Sequence, residues 1–338
     1  MMVAPGQPYA YVYPPPGAYG TPMVVQPPVI MLTPAPPMQS YNWSVAADAL
    51  FLERSSGGSV PLGYTYYNPG SPWSPTSRTY AMYSDDVLFP LEAGLRLEIS
   101  RKLSNDITFS ATFWGLQQWS VGETIDADPV HRTVLATSPY LHLPVFDDSL
   151  GYTESSQIDN VEFNAQFRLN GDDSYWKLDW LLGVRYVYFA DQFALTGIND
   201  LRNATETLDF HTANNLIGPQ TGLLFVRGWD RVQWDVGLKF GLMANIYHQH
   251  GTYTASDPLG IPASFTPGDI SHTGGDVAAL FEVSIGARFR LTDNLWFRVG
   301  YQFYDLTSLA LAPRQLNGSS HGGNVAFDGL SVGLQATW

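Results

Sequence analysis

The sequence predicts an all-β protein: a transmembrane, antiparallel, up-and-down β-barrel of about ten strands, with twelve strands as the alternative. Three observations predict this fold. Long stretches alternate between apolar and polar residues, short and long connections follow one another in strict turn, and the last strand ends in an aromatic residue. A closed barrel satisfies every backbone hydrogen-bonding group inside lipid, so strands of this kind can cross a membrane.

The composition favours a surface that lies partly in lipid. Charged residues make up only 14% of the 338 residues, although the chain holds 19 Tyr, 18 Phe and 10 Trp. Typical soluble domains carry about 25% charged residues. The formal net charge of −14 argues against nucleic acid as a partner, and the absence of cysteine excludes disulfides and thiolate chemistry. No apolar run is long enough to predict a transmembrane helix.

The first 40 residues differ from the rest of the chain. They hold 11 of the 24 prolines, which oppose both helix and sheet. We predict a disordered arm rich in Pro, Tyr and Gly over 1–40, followed by an outer-membrane barrel over 41–338. The arm has no Lys or Arg, and its run "MVVQPPVIML" is broken by Pro27 and Pro28, so it is not an export signal. We expect that signal to lie outside this numbering.

Ten stretches are predicted as strands, each from its own alternation. In "EAGLRLEIS", "VEFNAQFRLN", "VQWDVGLKFGLMANIY" and "FEVSIGARFRL", every second residue is apolar over the whole stretch or most of it. Most stretches have 11 or more residues, which matches the 9–11 residues of a tilted membrane crossing. In chain order the ten stretches are approximately 43–54, 91–101, 106–117, 158–169, 175–189, 213–226, 231–247, 277–291, 295–307 and 326–338.

The connections between these strands predict their orientation. The second, fourth, sixth and eighth strands are followed by the short turns "KLSN", "NGDDS", "RGWD" and "TDN". Long connections follow the other strands, at 55–90, 118–157, 190–212, 248–276 and 308–325. Outer-membrane barrels have short periplasmic turns and long external loops. The apolar faces are therefore expected to point outward to lipid; a further hairpin element within 76–89 would raise the strand number.

The end of the chain supports an outer-membrane barrel. The last strand turns alternate residues to one face and resembles the C-terminal signature through which bacterial assembly machinery recognises its clients: Leu330, Val332, Leu334, Ala336 and Trp338. Lipid-facing aromatic residues near the short turns predict a periplasmic girdle. They are Trp176, Trp234, Phe289, Phe297 and Trp338. The predicted partners are outer-membrane lipid and the assembly machinery; the oligomeric state stays open.

Three motifs resemble a known family. "WSVAADALFLERS" (43–55) is similar to the first strand of the planctomycete-type beta-barrel porin family. "LLGVRYVYFADQF" (181–193) and "NNLIGPQTG" (214–222) resemble two further strands of those porins. The resemblance covers about residues 43–338 and extends in style to the Legionella-type pore-forming outer-membrane family. It implies a barrel in the bacterial outer membrane.

The alternation predicts that acidic and basic side chains in nearly equal number point into the lumen. Besides Asp48 and Arg54, the predicted lumen-lining residues are Glu92, Arg96, Glu98, Glu162, Arg168, Lys177, Asp179, Arg185, Asp235, Lys239, Glu282, Arg288, Arg290 and Arg298. Opposite charges in a ten-stranded lumen can pair and plug it, or leave a narrow water path. For Arg185 we expect pairing with inward carboxylates.

The leading functional hypothesis is a small pore for passive diffusion of ions or small polar solutes. The alternative is a closed structural or adhesive barrel whose acidic loops contact the exterior, and a third reading is a soluble β-protein. The sequence predicts no enzyme, no catalytic residue, no cofactor and no metal. His248 and His250 could bind a metal together, but a zinc site needs a third protein ligand, and the sequence indicates none beside them.

Overall fold

The computed structural model describes residues 42–67, 77–86, 88–127, 131–135, 148–171, 175–200, 203–229, 231–256, 270–318 and 322–338. The predicted arm over 1–40 lies outside these residues. The described part contains one short 3-10 helix, Pro313–Asn317, and no helix that could cross a membrane. The strands are β1 Trp43–Arg54, β2 Pro61–Tyr67, β3 Ser77–Tyr83, β4 Glu92–Lys102, β5 Ile107–Asp126, β6 His131–Leu135, β7 Ser149–Arg168, β8 Trp176–Asn199, β9 Ala204–Trp229, β10 Val232–Ser256, β11 Ile270–Arg290, β12 Leu295–Leu309 and β13 Gly323–Thr337.

Ten of these strands form a closed antiparallel barrel, as predicted. Its order is β1-β13-β12-β11-β10-β9-β8-β7-β5-β4, and β1 closes the ring by pairing with both β13 and β4. The remaining strands, β2, β3 and β6, form a separate three-stranded sheet. The hairpin element suspected within 76–89 therefore exists as β3, but it does not enter the barrel. The twelve-stranded alternative is wrong.

The outer face of the barrel carries an apolar belt. Phe163, Leu238 and Leu330 are 58%, 44% and 55% exposed, and they point away from the lumen. On β7 to β11 we place the external edge of the belt at one cross-strand row: Val161, Tyr186, Ile217, Ala244 and Val277. We call the strand parts up to this row the membrane-spanning segments, and the parts beyond it the external extension. The prediction that the apolar face points outward, toward lipid, is confirmed.

The periplasmic end of the belt carries aromatic side chains. Trp176 packs against Phe225 with ring centroids 5.8 Å apart, and Phe289 packs against Phe297 at 6.3 Å. The terminal residue, Trp338, is 57% exposed, and its backbone N–H donates to the carbonyl oxygen of Trp43 at 3.1 Å. Tyr and Trp favour the interface between hydrocarbon and headgroups, so this ring suits the membrane boundary.

The strands run much further outward than the sequence predicts. Residues assigned to the loops 118–157, 190–212 and 248–276 largely continue β5, β7, β8, β9, β10 and β11. The alternation inverts beyond the belt. On β8, for example, Leu182, Val184 and Tyr186 face outward, whereas Phe193 and Leu195 face the lumen and are fully buried. Outside lipid the outer face meets water, so the apolar residues change to the inner face. A prediction that expects apolar residues on the same face along the whole strand therefore ends each strand too early.

Candidate functional site: charged and apolar layers of the lumen

The lumen holds charged side chains at three levels. A vestibule lies at the periplasmic end, a central cluster lies above it, and a third group lies in the external extension. Apolar side chains separate the central cluster from the external group. The order of these layers decides what can move through the barrel.

The vestibule contains ion pairs that remain partly exposed. Arg96 contacts Asp48 at 2.7 Å, Arg298 contacts Glu98 at 3.2 Å, and each of these arginine side chains keeps 12–17% of its surface accessible. Two further vestibule pairs are Arg288 with Asp235 and Arg168 with Asp179. A polar cavity of about 140 Å³ lies among these side chains, so the periplasmic half of the lumen has room for water.

The central cluster is a network of two acids and two bases in which Glu162, Glu282 and Arg185 are buried and Lys239 keeps 19% of its side-chain surface accessible. Arg185, only 1% exposed, contacts Glu162 at 2.8 Å and also contacts Glu282. Lys239 lies 2.9 Å from Glu162 and 3.1 Å from Glu282, and the amide of Gln220 donates to Glu162 at 2.7 Å. Because each carboxylate has a cationic partner, the cluster is neutral and tightly bound. Arg185 thus lies where we expected it, between inward carboxylates.

An apolar layer closes the lumen above this network. Trp114 stacks on Tyr304 with ring centroids 4.4 Å apart, and Trp119 and Phe327 lie 5.3 Å apart. These rings belong to a cluster of side chains that are 0–2% exposed and come from wall strands and from the segment after β12. Its members include Leu52, Ile158, Val187, Phe189, Leu216, Met243, Leu280, Leu306, Leu309, Leu311 and Val325.

The segment after β12 folds into the lumen and is fixed there by wall side chains. Asn214 binds Ala310 twice: its amide donates to the Ala310 carbonyl at 2.9 Å, and its oxygen accepts from the Ala310 N–H at 2.8 Å. Asn245 donates to the carbonyl of Ser308, and Asp191 accepts from the N–H of Ala312. Asn214 belongs to "NNLIGPQTG", so this motif anchors the plug segment, residues 308–312, which runs from the end of β12 into the connection that follows it.

The third charged group lies in the external extension. Arg54 contacts Glu154 at 2.9 Å and Asp191 at 3.3 Å, and none of the three side chains has accessible surface. The guanidinium also lies 4.2 Å from the centroid of the Phe89 ring and donates to Ser156. One cation thus faces two buried carboxylates, so the group has excess negative charge unless a proton is bound.

The buried acids make stability depend on pH. Burial, together with the neighbouring Asp191, raises the pKa of Glu154 to about 8. A carboxyl group with a raised pKa stabilises the folded state at pH values below its unfolded pKa, and this contribution is lost as the pH rises toward 8. We expect the free energy of unfolding to fall between about pH 5 and pH 8, with a shallower slope in Glu154→Gln. Urea titrations of both proteins in lipid across this range test it; parallel slopes would contradict it.

A second apolar cluster caps this external group. Tyr152, Phe193, Leu195, Leu208 and Phe210 converge there and are 0–2% exposed. Val60, Leu62 and Met82, from the connection between β1 and β4, and Leu316, from the 3-10 helix, complete it. Apolar side chains therefore pack on both sides of the Arg54 group.

All 14 predicted lumen-lining residues lie on inward-facing strand positions. On the neighbouring strands, Glu92, Lys177 and Arg290 lie opposite Leu52, Val226 and Trp296 respectively. Their part in solute passage stays a prediction. The sequence missed Glu154 and Asp191 as lumen residues because both fell in predicted loops; the inverted alternation of "DQFAL" around Phe193 is the signal that could have found Asp191.

Comparison with known proteins identifies the family. The family model described as "Putative beta barrel porin-7 (BBP7)" matches residues 74–329, which is most of the chain. The chain belongs to this family. A search of curated proteins gave no match. The family and the belt together place this BBP7 protein in the bacterial outer membrane.

One of the solved structures that match this chain supports the fold. The outer membrane protease OmpT from Escherichia coli matches with a TM-score of 0.50 at 12% identity, covering 89% of this chain and 99% of that chain. The attachment invasion locus protein Ail of Yersinia pestis matches with a TM-score of 0.25 at 8% identity, covering 88% and 99%. A Pseudomonas aeruginosa FadL homologue matches at 0.24 and 10%, covering 88% and 89%. At these identities the OmpT likeness shows a shared fold and carries no activity across.

Proposed function

We propose that this BBP7 protein is a closed outer-membrane barrel that carries its external extension and acidic loops as a structural or adhesive platform. The observation that supports this most is the packing of the lumen. The described side chains form two apolar clusters along the lumen, one that includes Trp114 and one that includes Leu195. Between the two clusters the described residues place one charged group, that of Arg54, and its side chains have no accessible surface. A hydrated ion would have to cross both clusters, which is costly without water or polar partners.

A second candidate is a narrow pore of which this structure is the closed state. The vestibule favours it, because its 140 Å³ cavity and partly exposed arginines would admit small anions from the periplasm. The plug segment favours it too, because hydrogen bonds between its backbone and Asn214, Asn245 and Asp191 fix it, and water can replace them. Membership of a family described as porins also favours this candidate. Neither candidate is an enzyme.

Single-channel conductance in a planar bilayer separates the two candidates. We expect no discrete current steps from the wild-type protein, because two apolar clusters block the passage of ions. A variant that combines Trp119→Ser and Phe327→Ser with Phe193→Ser and Phe210→Ser removes rings from both apolar clusters and serves as the opened reference. Heat-modifiable migration on a gel confirms that each sample is folded.

Discrete steps in wild-type protein would contradict the closed barrel and favour the pore. In that case, Asn214→Ala should raise the open fraction by releasing the plug segment, and Arg185→Ala should change the step size or ion preference if Arg185 lies at the constriction. Folded wild-type protein without steps, beside an opened reference that conducts, would support the closed barrel.

A further inference from the structure

The external extension carries an uncharged polar band on its outer face. Two neighbouring cross-strand rows, which we call the furrow rows, run over six adjacent strands, β5, β7, β8, β9, β10 and β11. The row nearer the membrane is Gln118, Gln157, Ala190, Ala213, His248 and Thr273. The row above it is Ser120, Ser155, Gln192, His211, His250 and Ser271. These twelve positions contain no Lys, Arg, Asp or Glu, in a chain with a net charge of −14.

The furrow rows lie just above the apolar belt. A single row, which includes Tyr188 and Asn215, separates them from the belt-edge row of Tyr186 and Ile217. Rows are two residues apart, or about 6–7 Å along a strand, and less in height because barrel strands are tilted. The polar zone of a bilayer begins at the edge of the hydrocarbon and is only a few ångströms thick on each side. The nearer furrow row therefore begins about 13 Å along the strand from the belt edge, or about 10 Å in height. This is just outside the headgroup zone, within the reach of a sugar headgroup that extends from it.

The furrow rows enclose a groove of ligand size. A depression of about 670 Å³ runs along them, lined by side chains such as Gln157, Gln192, His211 and His250. Small-molecule sites usually have about 300–1,000 Å³. The small side chains of Ala190 and Ala213 form part of its floor. Two imidazoles are held in place: His248 Nδ1 lies 3.0 Å from Thr273 Oγ1, and His211 Nε2 lies 3.1 Å from Asp209.

The chemistry of the groove selects between headgroups. Amide, hydroxyl and imidazole groups both donate and accept hydrogen bonds, as sugar hydroxyls do. Phosphate carries negative charge and is bound mainly by Arg and Lys, which the furrow rows lack. Carboxylates nearby, such as Asp209 and Asp159, further disfavour an anion.

We propose that this groove binds the uncharged saccharide headgroup of a glycolipid in the outer leaflet. The sugar hydroxyls bind Gln157, Gln192 and the imidazoles, and the acyl chains lie on the belt below, over residues such as Tyr186 and Ile217. This inference depends on the outer-membrane location and not on whether the lumen is open.

Native mass spectrometry of the full chain folded in detergent tests this proposal. The probes are digalactosyl diacylglycerol, phosphatidylcholine with the same acyl chains, and free lactose. We expect the wild type to retain the glycolipid in clear preference to phosphatidylcholine. The double variant Gln157→Leu/Gln192→Leu should lose about tenfold in that preference, since it removes two hydrogen-bonding side chains from the groove.

Thr254→Leu is the matched control, because Thr254 is an exposed polar residue of β10 beyond the furrow rows. It should leave the preference unchanged, and gel migration should show that all three proteins are folded. Equal retention of both lipids by the wild type would overturn the proposal, and so would an equal loss in the Thr254→Leu protein. Lactose that binds as well as the glycolipid would overturn the assignment to a lipid. If the double variant does not fold, His250→Leu is expected to give a smaller loss of the same sign.

Discussion

Replacing Arg54 by methionine is expected to lower the free energy of unfolding by about 3–5 kcal/mol. Arg54 is the only cation that contacts Glu154 and Asp191 among the described residues, and all three side chains are without accessible surface. Methionine keeps most of the side-chain volume and the apolar contact with Phe89, so the loss comes from leaving two buried acids without their cation. Urea titration of the protein folded in lipid measures it.

The triple variant Arg54→Met/Glu154→Gln/Asp191→Asn is the control for this effect. It removes the charges of the acids with that of the base, and it should recover most of the lost stability, because no buried charge remains. The single variant should also be least destabilised at acid pH, where both acids take up protons. A single variant as stable as the wild type, or a triple variant no more stable than the single one, would show that the group does not act as a charged unit.

The variant Arg185→Met is expected to have the second large effect, also about 3–5 kcal/mol. It leaves Lys239 as the one described cation in contact with both Glu162 and Glu282. The two carboxylates then carry one negative charge in excess at the centre of the lumen. The added substitution Glu282→Gln should restore most of the stability, since it returns the network to a neutral pair.

Arg298→Met provides the comparison within the same barrel. Its partner Glu98 keeps 31% of its side-chain surface accessible, so water in the vestibule can solvate that acid. The second contact of Arg298, Asp48 at 3.6 Å, keeps Arg96 as a partner at 2.7 Å. Partly exposed ion pairs contribute about 0–1 kcal/mol, so this variant should lose much less stability than Arg185→Met. Similar losses in the two variants would mean that the vestibule is as dry as the central cluster.

Side-chain positions can be predicted from the sequence within the belt but not in the external extension. Within the belt, the positions of Phe163, Leu330 and Trp338 follow from alternation in single strands, and the inward position of Arg185 follows with them. Above the belt, the same reasoning assigned Glu154 and Asp191 to loops. Those strands bury their apolar side chains inward, as a soluble barrel would, so the phase that identifies a lipid-facing strand no longer applies.

The barrel, its ten strands and the face that meets lipid follow from the sequence, because each depends on the periodicity and spacing of residues near one another in the chain. The tertiary structure alone decided that the lumen is packed. Arg54, Glu154 and Asp191 meet from three different strands, and Asn214 binds the plug segment at the end of β12. Such contacts depend on strand register and on how the ring closes, and one strand's pattern carries no information about which side chains it will face across the lumen.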